Sequence, residues 1–154
     1  MYHFQEKDGL QFSLHDCRAE QMRFSEHIMS FVFPDGVWAL PGCTHNESGN
    51  TVRTDCAQVD FHIIDAEEVS VYLFKPSVTG AIVRTEWELD RFMQAVNDGK
   101  YQVEFIDAYQ GYQSQLFKCW VWFDRKPYHY ECELLLPCEE ATYRWNRLRY
   151  DRVW

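Results

Sequence analysis

The sequence predicts an α+β domain, in which a twisted or curled, mainly antiparallel β-sheet of about seven or eight strands carries one principal helix, residues 86–98. Two observations lead to this prediction. Most segments alternate apolar and polar residues with the period of two that half-buried strands show, and one segment has the 3.6-residue period of an amphipathic helix. No linker, repeat or low-complexity tract divides the chain, so we expect residues 1–154 to form a single α+β domain.

The N-terminal third has the pattern of a β-meander. Residues 10–14 alternate as a half-buried strand does. Residues 28–33 and 37–40 flank Pro34-Asp35-Gly36, whose turn chemistry predicts a hairpin. Residues 41–51 form the clearest loop, because Gly, Asn, Ser and Pro cluster there with almost no large apolar residue.

The principal helix has signals at both ends and along one face. Thr85 is the expected N-cap and Glu88 completes a capping box. Gly99 occupies the C′ position, where the left-handed conformation favours glycine. The apolar stripe at helical spacing consists of Leu89, Phe92, Met93 and Val96.

Five other segments have strand patterns. Residues 59–64 and 69–74 alternate on either side of a short turn. Residues 101–108, 116–123 and 128–136 follow the helix, and turn residues separate them. These patterns predict strands both before and after the helix.

Two C-terminal segments carry further information. Residues 116–123 are apolar on both faces, which predicts a central strand covered on both sides, with Trp120 and Trp122 in the core. Residues 139–154 fit two structures, because their Tyr, Trp and Thr favour a strand while some apolar residues have helical spacing. The sequence leaves strand and helix open for this tail.

The chain is acidic, with 24 Asp and Glu against 15 Lys and Arg and a net charge of −9. This balance disfavours nucleic acid and anionic membranes as partners, since both require a basic surface. The N-terminus lacks the pattern of a signal peptide, and no run approaches the roughly 20 apolar residues of a membrane span. We therefore expect a cytoplasmic protein with no membrane and no nucleic-acid partner.

The six cysteines are expected to be free thiols in that compartment. No matched pair of Cys or His has zinc-ligand spacing and no glycine-rich phosphate loop is present, so we expect neither a metal nor a cofactor. Cys17 lies two residues after His15 on one strand face, so the two side chains could approach each other as a Cys/His nucleophile requires. Buried cysteine is the commoner role, and we assign no catalytic residue.

Three groups of residues are candidates for binding. The first is a tryptophan beside the 41–51 loop, and the second is a polar stripe on one face of strand 128–136, which is either an acid/base site or a solvated surface. The third is the tail, where arginine and aromatic side chains occur together as in binders of single-stranded nucleic acid, although they suit a protein interface or self-association better. The candidates are Trp38, His129, Glu131, Glu133, Arg144, Trp145 and Arg147.

Two classes of function remain. The first is a non-enzymatic protein-interaction module whose acidic surface binds a basic partner. Small antidote (immunity) proteins of bacterial toxin systems are similar in size and charge, a likeness that rests on composition. The second is a small-molecule-binding or hydrolytic domain with an aromatic pocket inside a curved sheet. The absence of a catalytic motif favours the first class. We therefore expect a non-enzymatic protein, with the second class as the alternative.

Overall fold

A computed structural model describes residues 1–154. Three antiparallel sheets make up most of the chain, and one α-helix packs against them, which confirms the predicted α+β class. The strands number fifteen, more than predicted, because several contain only two or three residues. No helix has the length and apolarity needed to cross a bilayer.

Each sheet combines strands that are distant in the sequence. The five-stranded sheet has the order β1 (Phe4–Glu6), β14 (Cys138–Trp145), β8 (Ala57–Ile63), β5 (Ile28–Phe33) and β4 (Gln21–Ser25). The six-stranded sheet has the order β10 (Ile82–Trp87), β9 (Ser70–Pro76), β13 (His129–Leu136), β12 (Ser114–Trp122), β11 (Gln102–Gly111) and β3 (Cys17–Ala19). The small sheet has the order β15 (Leu148–Val153), β7 (Val52–Thr54), β6 (Trp38–Ala39) and β2 (Phe12–Ser13).

Phenylalanine rings join the two larger sheets. Phe31 of β5 contacts Phe105 of β11 edge to face at 5.2 Å, and Phe61 of β8 contacts Phe117 of β12 at 5.4 Å. All four side chains are buried. Edge-to-face contacts of this kind add to the stability that apolar burial provides. The core therefore lies between the inner faces of these sheets.

The chain passes between the two larger sheets at two corners. Strand β3 continues into β4 across Glu20, and strand β13 continues into β14 across Pro137. Strands that change sheet at a bend are typical of packed sheets whose directions cross. Part of the space between the sheets is thereby closed by the chain itself.

The predicted hairpin around Pro34-Asp35-Gly36 is wrong. Residues 28–33 belong to the five-stranded sheet, whereas Trp38 and Ala39 pair with β2 and β7 in the small sheet. Gly36 has a φ of 82° and redirects the chain from one sheet to the other. The turn is present, but its geometry separates the flanking strands instead of pairing them.

The helix is shorter than predicted, spanning Leu89–Asn97. Glu86 and Trp87 instead extend β10 by pairing with β9, so Glu88 becomes the N-cap, and its side chain makes no capping bond. The capping box at Thr85 is therefore wrong. The C-terminal prediction is confirmed, because Gly99 adopts a φ of 71° and donates its amide to a carbonyl of the last turn.

The helix, α1, covers an edge of the five-stranded sheet. Phe92 and Val96 are fully buried on its apolar stripe. The Asn97 side chain accepts a hydrogen bond from the Met22 amide at 2.9 Å and donates one to the Met22 carbonyl at 2.8 Å. The Asn97 side chain thus pairs with the N–H and C=O groups of Met22, as a neighbouring strand would, on an edge that is otherwise open.

The open question about residues 139–154 is answered in favour of strands, since β14 and β15 contain most of them. The prediction that β12 is covered on both faces is wrong. Phe117, Cys119 and Val121 face the core, but Trp120 on the other face is 37% exposed. Aromatic rings lie along that face, so it has an apolar composition without another layer above it.

Candidate functional site

The outer side of the six-stranded sheet is open to solvent and rich in aromatic side chains. We call this surface the outer aromatic face and define it by Tyr72, Phe74, Trp120, Trp122 and His129. Each of these side chains is partly or largely exposed. Tryptophan and tyrosine in such positions are typical of protein-binding surfaces.

Three rings form a cluster where β12 ends and β13 begins, and we call this cluster the stack after its one parallel pair. Trp120 and His129 are parallel, with centroids 4.4 Å apart and an interplanar angle of 9°. Trp122 lies 4.9 Å from the same imidazole and 5.6 Å from Trp120. Strand pairing sets this geometry, because β12 and β13 place Trp122 directly opposite His129. The stack is therefore rigid before any partner binds.

A cation and a carboxylate hold one side of the stack. The Arg18 guanidinium lies 4.7 Å from the centre of the Trp122 ring and 3.4 Å from the Glu104 carboxylate. The Trp122 indole nitrogen donates a hydrogen bond to the same carboxylate. With its polar edge satisfied in this way, Trp122 presents its apolar surface toward solvent.

A second cation lies at the opposite end of the face. The Arg84 guanidinium donates to the Glu133 carboxylate at 3.2 Å and lies 3.4 Å from the centre of the Tyr72 ring. This pairing compensates the charge of Glu133. Glu133, one residue of the predicted polar stripe, is therefore already paired within the chain.

Glu131 is exposed and makes no ion pair within the chain, unlike Glu104 and Glu133. Strand register places it directly between Trp120 of β12 and Phe74 of β9. These residues, with Glu133 and Lys118, line a depression of about 300 Å³. A free carboxylate between two aromatic side chains suits a lysine or arginine of a partner, through an ion pair and cation–π contact.

The prediction that His129, Glu131 and Glu133 share one strand face agrees with their positions. No proton relay joins the three, since the imidazole stacks on Trp120 and the Glu133 carboxylate bonds to Arg84. An acid/base site needs groups within hydrogen-bond reach of one reacting atom. The arrangement is better suited to contact than to proton transfer.

Trp38 contributes to the structure around the small sheet. Its indole nitrogen donates to the His15 carbonyl at 2.9 Å, while Arg53 lies 4.6 Å from the ring centre and Trp154 lies 5.2 Å away. Both the polar edge and the ring of Trp38 are thus occupied by the chain itself. Little of this side chain is free for a partner.

The three tail candidates occupy different surroundings. Trp145 is fully buried, and the Arg144 guanidinium bonds to Asp60 and to the side chain of Gln5. Arg147 is exposed, with its guanidinium 3.9 Å from the Asp55 carboxylate. Of these three residues only Arg147 has a largely free side chain, so the structure does not assemble them into a shared surface.

Sequence reasoning missed the two tryptophans of β12 as surface residues. A signal was present, because Phe117, Cys119 and Val121 alternate with Lys118, and the tryptophans continue the series that the lysine begins. Since lysine is almost never fully buried, its position marked which face meets solvent. The partner residues Arg18 and Arg84 had no local signal, because they come from strands distant in the sequence.

The cysteines do not form a reactive centre. Cys17 donates its thiol hydrogen to the His15 carbonyl at 3.4 Å, whereas the imidazole bonds to the carbonyl of Ile106. Burial raises the pKa of Cys17 to about 12 and that of Cys138 to about 11. All six are free thiols, and no group of three or more Cys, His, Asp or Glu side chains is arranged to hold a metal.

The burial of five of the six cysteine side chains predicts which thiol reacts and how the stability of the fold depends on alkaline pH. In the native protein at pH 8 we expect a thiol reagent to titrate only Cys56, the one cysteine that is not buried, and to titrate six thiols after unfolding. Cys56→Ser should abolish the native reaction, and reaction of a second native thiol would contradict the assignment.

Because folding raises the pKa of Cys17 and Cys138, these two thiols add stability to the fold below about pH 9, and that stability is lost as the pH rises toward 11–12.

No protein-family model, curated protein or solved structure matches this chain. Its functional interpretation therefore rests on the geometry described above.

Proposed function

We propose that this protein is a non-enzymatic interaction module that binds a basic protein partner through the outer aromatic face. The observation that carries the proposal is Glu131, an exposed carboxylate without an ion-pair partner, set between Trp120 and Phe74 on an open sheet surface. Aromatic anchors supply most of the affinity in many interfaces, and charge complementarity sets the partner and the rate of association.

The overall charge supports a basic partner. A net charge of −9 attracts a cationic protein at a distance and repels an acidic one. On the face itself Arg18 and Arg84 are already paired with Glu104 and Glu133. The depression beside them has two carboxylates without an ion pair, Glu131 and Asp107, against one such cation, Lys118, so its uncompensated charge is negative. An antidote-like inhibitor that covers a basic surface of a toxic protein is one form that this function can take.

The rigidity of the stack also supports a binding role. Trp120, Trp122 and His129 are held by strand register and mutual contact, so they lose little conformational freedom when a partner arrives. Their hydrophobic surface remains accessible in the free protein, at a cost in solvation that a partner would relieve. Enzymatic chemistry has no comparable support on this face.

The experiment is affinity capture from the native source with wild-type protein and matched variants, followed by direct titration of the captured protein. We expect Trp120→Ala to weaken binding by about 30-fold or more, as hot-spot truncations of about 2 kcal/mol do. Glu131→Gln should weaken it by about fivefold and reduce its dependence on salt. The fold should persist in both variants, because neither side chain is buried.

Tyr112→Ala is the matched control, since Tyr112 is 90% exposed at the tip of the β11–β12 hairpin, away from the face. It should bind as the wild type does. The captured protein should be basic, and in the antidote form its gene should lie beside the gene for this protein. A partner that binds both face variants with unchanged affinity would contradict the proposal.

A further inference from the structure

A second surface lies on the opposite side of the β11–β12 hairpin from the outer aromatic face. It is a cleft of about 500 Å³ between the end of β11 and the start of β14. Its floor consists of the buried side chains of Phe12, Phe105, Phe117 and Tyr143. The floor is therefore the apolar core itself, reached where the two larger sheets separate.

One wall of the cleft is an unpaired strand edge. Strand β3 pairs with β11 only as far as Phe105. A bulge in the β11–β12 pairing follows between Phe105 and Asp107, and residues 107–111 pair with β12 alone. Alternate residues of an antiparallel strand direct their N–H and C=O groups away from the partner strand. Residues 107–111 are exposed, so this edge offers backbone hydrogen bonds to an added strand.

The opposite wall carries an apolar side chain that folding leaves outside. Leu10 lies on a short 3₁₀ turn at the mouth of the cleft and is 82% exposed. The Asp8 carboxylate accepts the Leu10 amide at 3.0 Å and so fixes the turn. A fixed, exposed leucine beside an apolar floor can cover a side chain that enters the cleft.

The rim of the cleft carries uncompensated negative charge. Asp107 makes no ion pair, and the Glu139 carboxylate bonds only to the amide of Gln113, at 2.5 Å. The one lysine on the rim, Lys7, is paired with Glu140 at 2.9 Å. An occupant of the cleft therefore meets two carboxylates that make no ion pair within the chain.

We infer that this cleft binds an extended, basic segment of a partner protein by strand addition to the free edge of β11. The segment would pair with the backbone of residues 107–111 and place an apolar side chain between Leu10 and the phenylalanine floor. Its lysine or arginine residues would meet Asp107 and Glu139. Successive side chains of a strand point to opposite sides. A segment of alternating apolar and basic residues therefore contacts both the apolar floor with Leu10 and the carboxylates of the rim.

A second copy of this chain is a poorer occupant. Two-fold pairing of β11 with itself would bring two rims of the same sign together, and each chain carries a net charge of −9. Charge complementarity thus selects a basic segment. Ile106 and Asp107 line both this cleft and the depression of the outer aromatic face, but Leu10 and Glu139 belong to the cleft alone and Trp120 to the outer face alone.

The test uses the whole protein and a labelled six-residue peptide of alternating lysine and valine. We expect saturable binding below about 1 mM and slower hydrogen exchange at amides within residues 107–111. A peptide of alternating glutamate and valine should bind at least tenfold more weakly. A lysine–valine peptide with alternate backbone amides methylated should also lose at least tenfold, since it keeps the charges but cannot pair with the edge.

Two surface variants connect the binding to the cleft. Leu10→Ala should weaken binding of the lysine–valine peptide by about fivefold, and Glu139→Lys by about tenfold at low salt. Glu86→Lys makes the same charge change on β10, at the far edge of the sheet, and should have little effect. Trp120→Ala should also leave this peptide unaffected, which separates the inference from the proposed function.

Four results would overturn the inference. They are equal affinity for the lysine and glutamate peptides, full affinity of the methylated peptide, protection of amides elsewhere than on β11, and the absence of saturable binding at about 1 mM. A concentration-dependent dimer that protects residues 107–111 would show that a second copy occupies the edge and would overturn it as well.

Discussion

Trp145→Ala is expected to lower the free energy of unfolding by about 3–5 kcal/mol, the cost of truncating a fully buried tryptophan. Trp145 is 0% exposed and lies 5.6 Å from Phe4, 5.1 Å from Phe12 and 5.6 Å from His45, measured between ring centres. Its removal would leave a cavity where the N-terminal strand, the 41–51 loop and β14 meet. Chemical denaturation monitored by circular dichroism measures the change.

Two further variants make this prediction specific. Trp145→Phe should cost only about 1–2 kcal/mol, because a ring remains and the buried indole nitrogen, which has no hydrogen-bond partner in the protein, is removed. Trp120→Ala, on the open face, should cost about 1 kcal/mol through its lost stacking. If Trp145→Ala were no more destabilising than Trp120→Ala, the assignment of one residue to the core and the other to the surface would be wrong.

Gly36→Ala is expected to destabilise the fold by about 2–5 kcal/mol, the sum of left-handed backbone strain and overpacking. Gly36 has a φ of 82°, and an added Cβ would lie 2.2 Å from the Asp55 carbonyl oxygen and 2.3 Å from that of Thr54. Both neighbours are backbone atoms, so neither can move aside without shifting β7. For a chain of this length we expect the thermal midpoint to fall by about 10 °C.

Gly49→Ala is the control for Gly36→Ala. Gly49 also has a positive φ, 71°, but nothing lies within 4 Å of an added Cβ. It carries the conformational strain without the collision and should cost about 1 kcal/mol. Equal midpoints for the two variants in differential scanning calorimetry would show that contact with β7 does not restrict position 36.

The local patterns in the sequence predicted individual elements well. The strands after the helix, the left-handed glycine at position 99 and the shared face of His129, Glu131 and Glu133 all follow from the spacing of neighbouring residues. The errors concern which segments of the chain pair or pack with one another. The capping box of Thr85 and Glu88 predicted a helix from residue 86, yet Glu86 and Trp87 extend β10 because β9 lies beside them and satisfies their backbone groups.

The candidate site was predicted only in part for the same reason. His129, Glu131 and Glu133 were found from alternation on a single strand. Trp120 was assigned to the core, because an apolar run does not reveal whether a second layer covers it. Trp145 was assigned to an interface, although the Phe4 and Phe12 rings from the N-terminus bury it.

Composition and the spacing of residues a few positions apart were enough to establish the α+β class, most strand positions, the end of the helix and the acidic charge. The division of the strands among three sheets and the exposure of particular aromatic residues are visible only in the folded chain. Pairing and burial depend on contacts between residues far apart in the chain, such as Glu131 with Phe74, and no local period encodes those contacts.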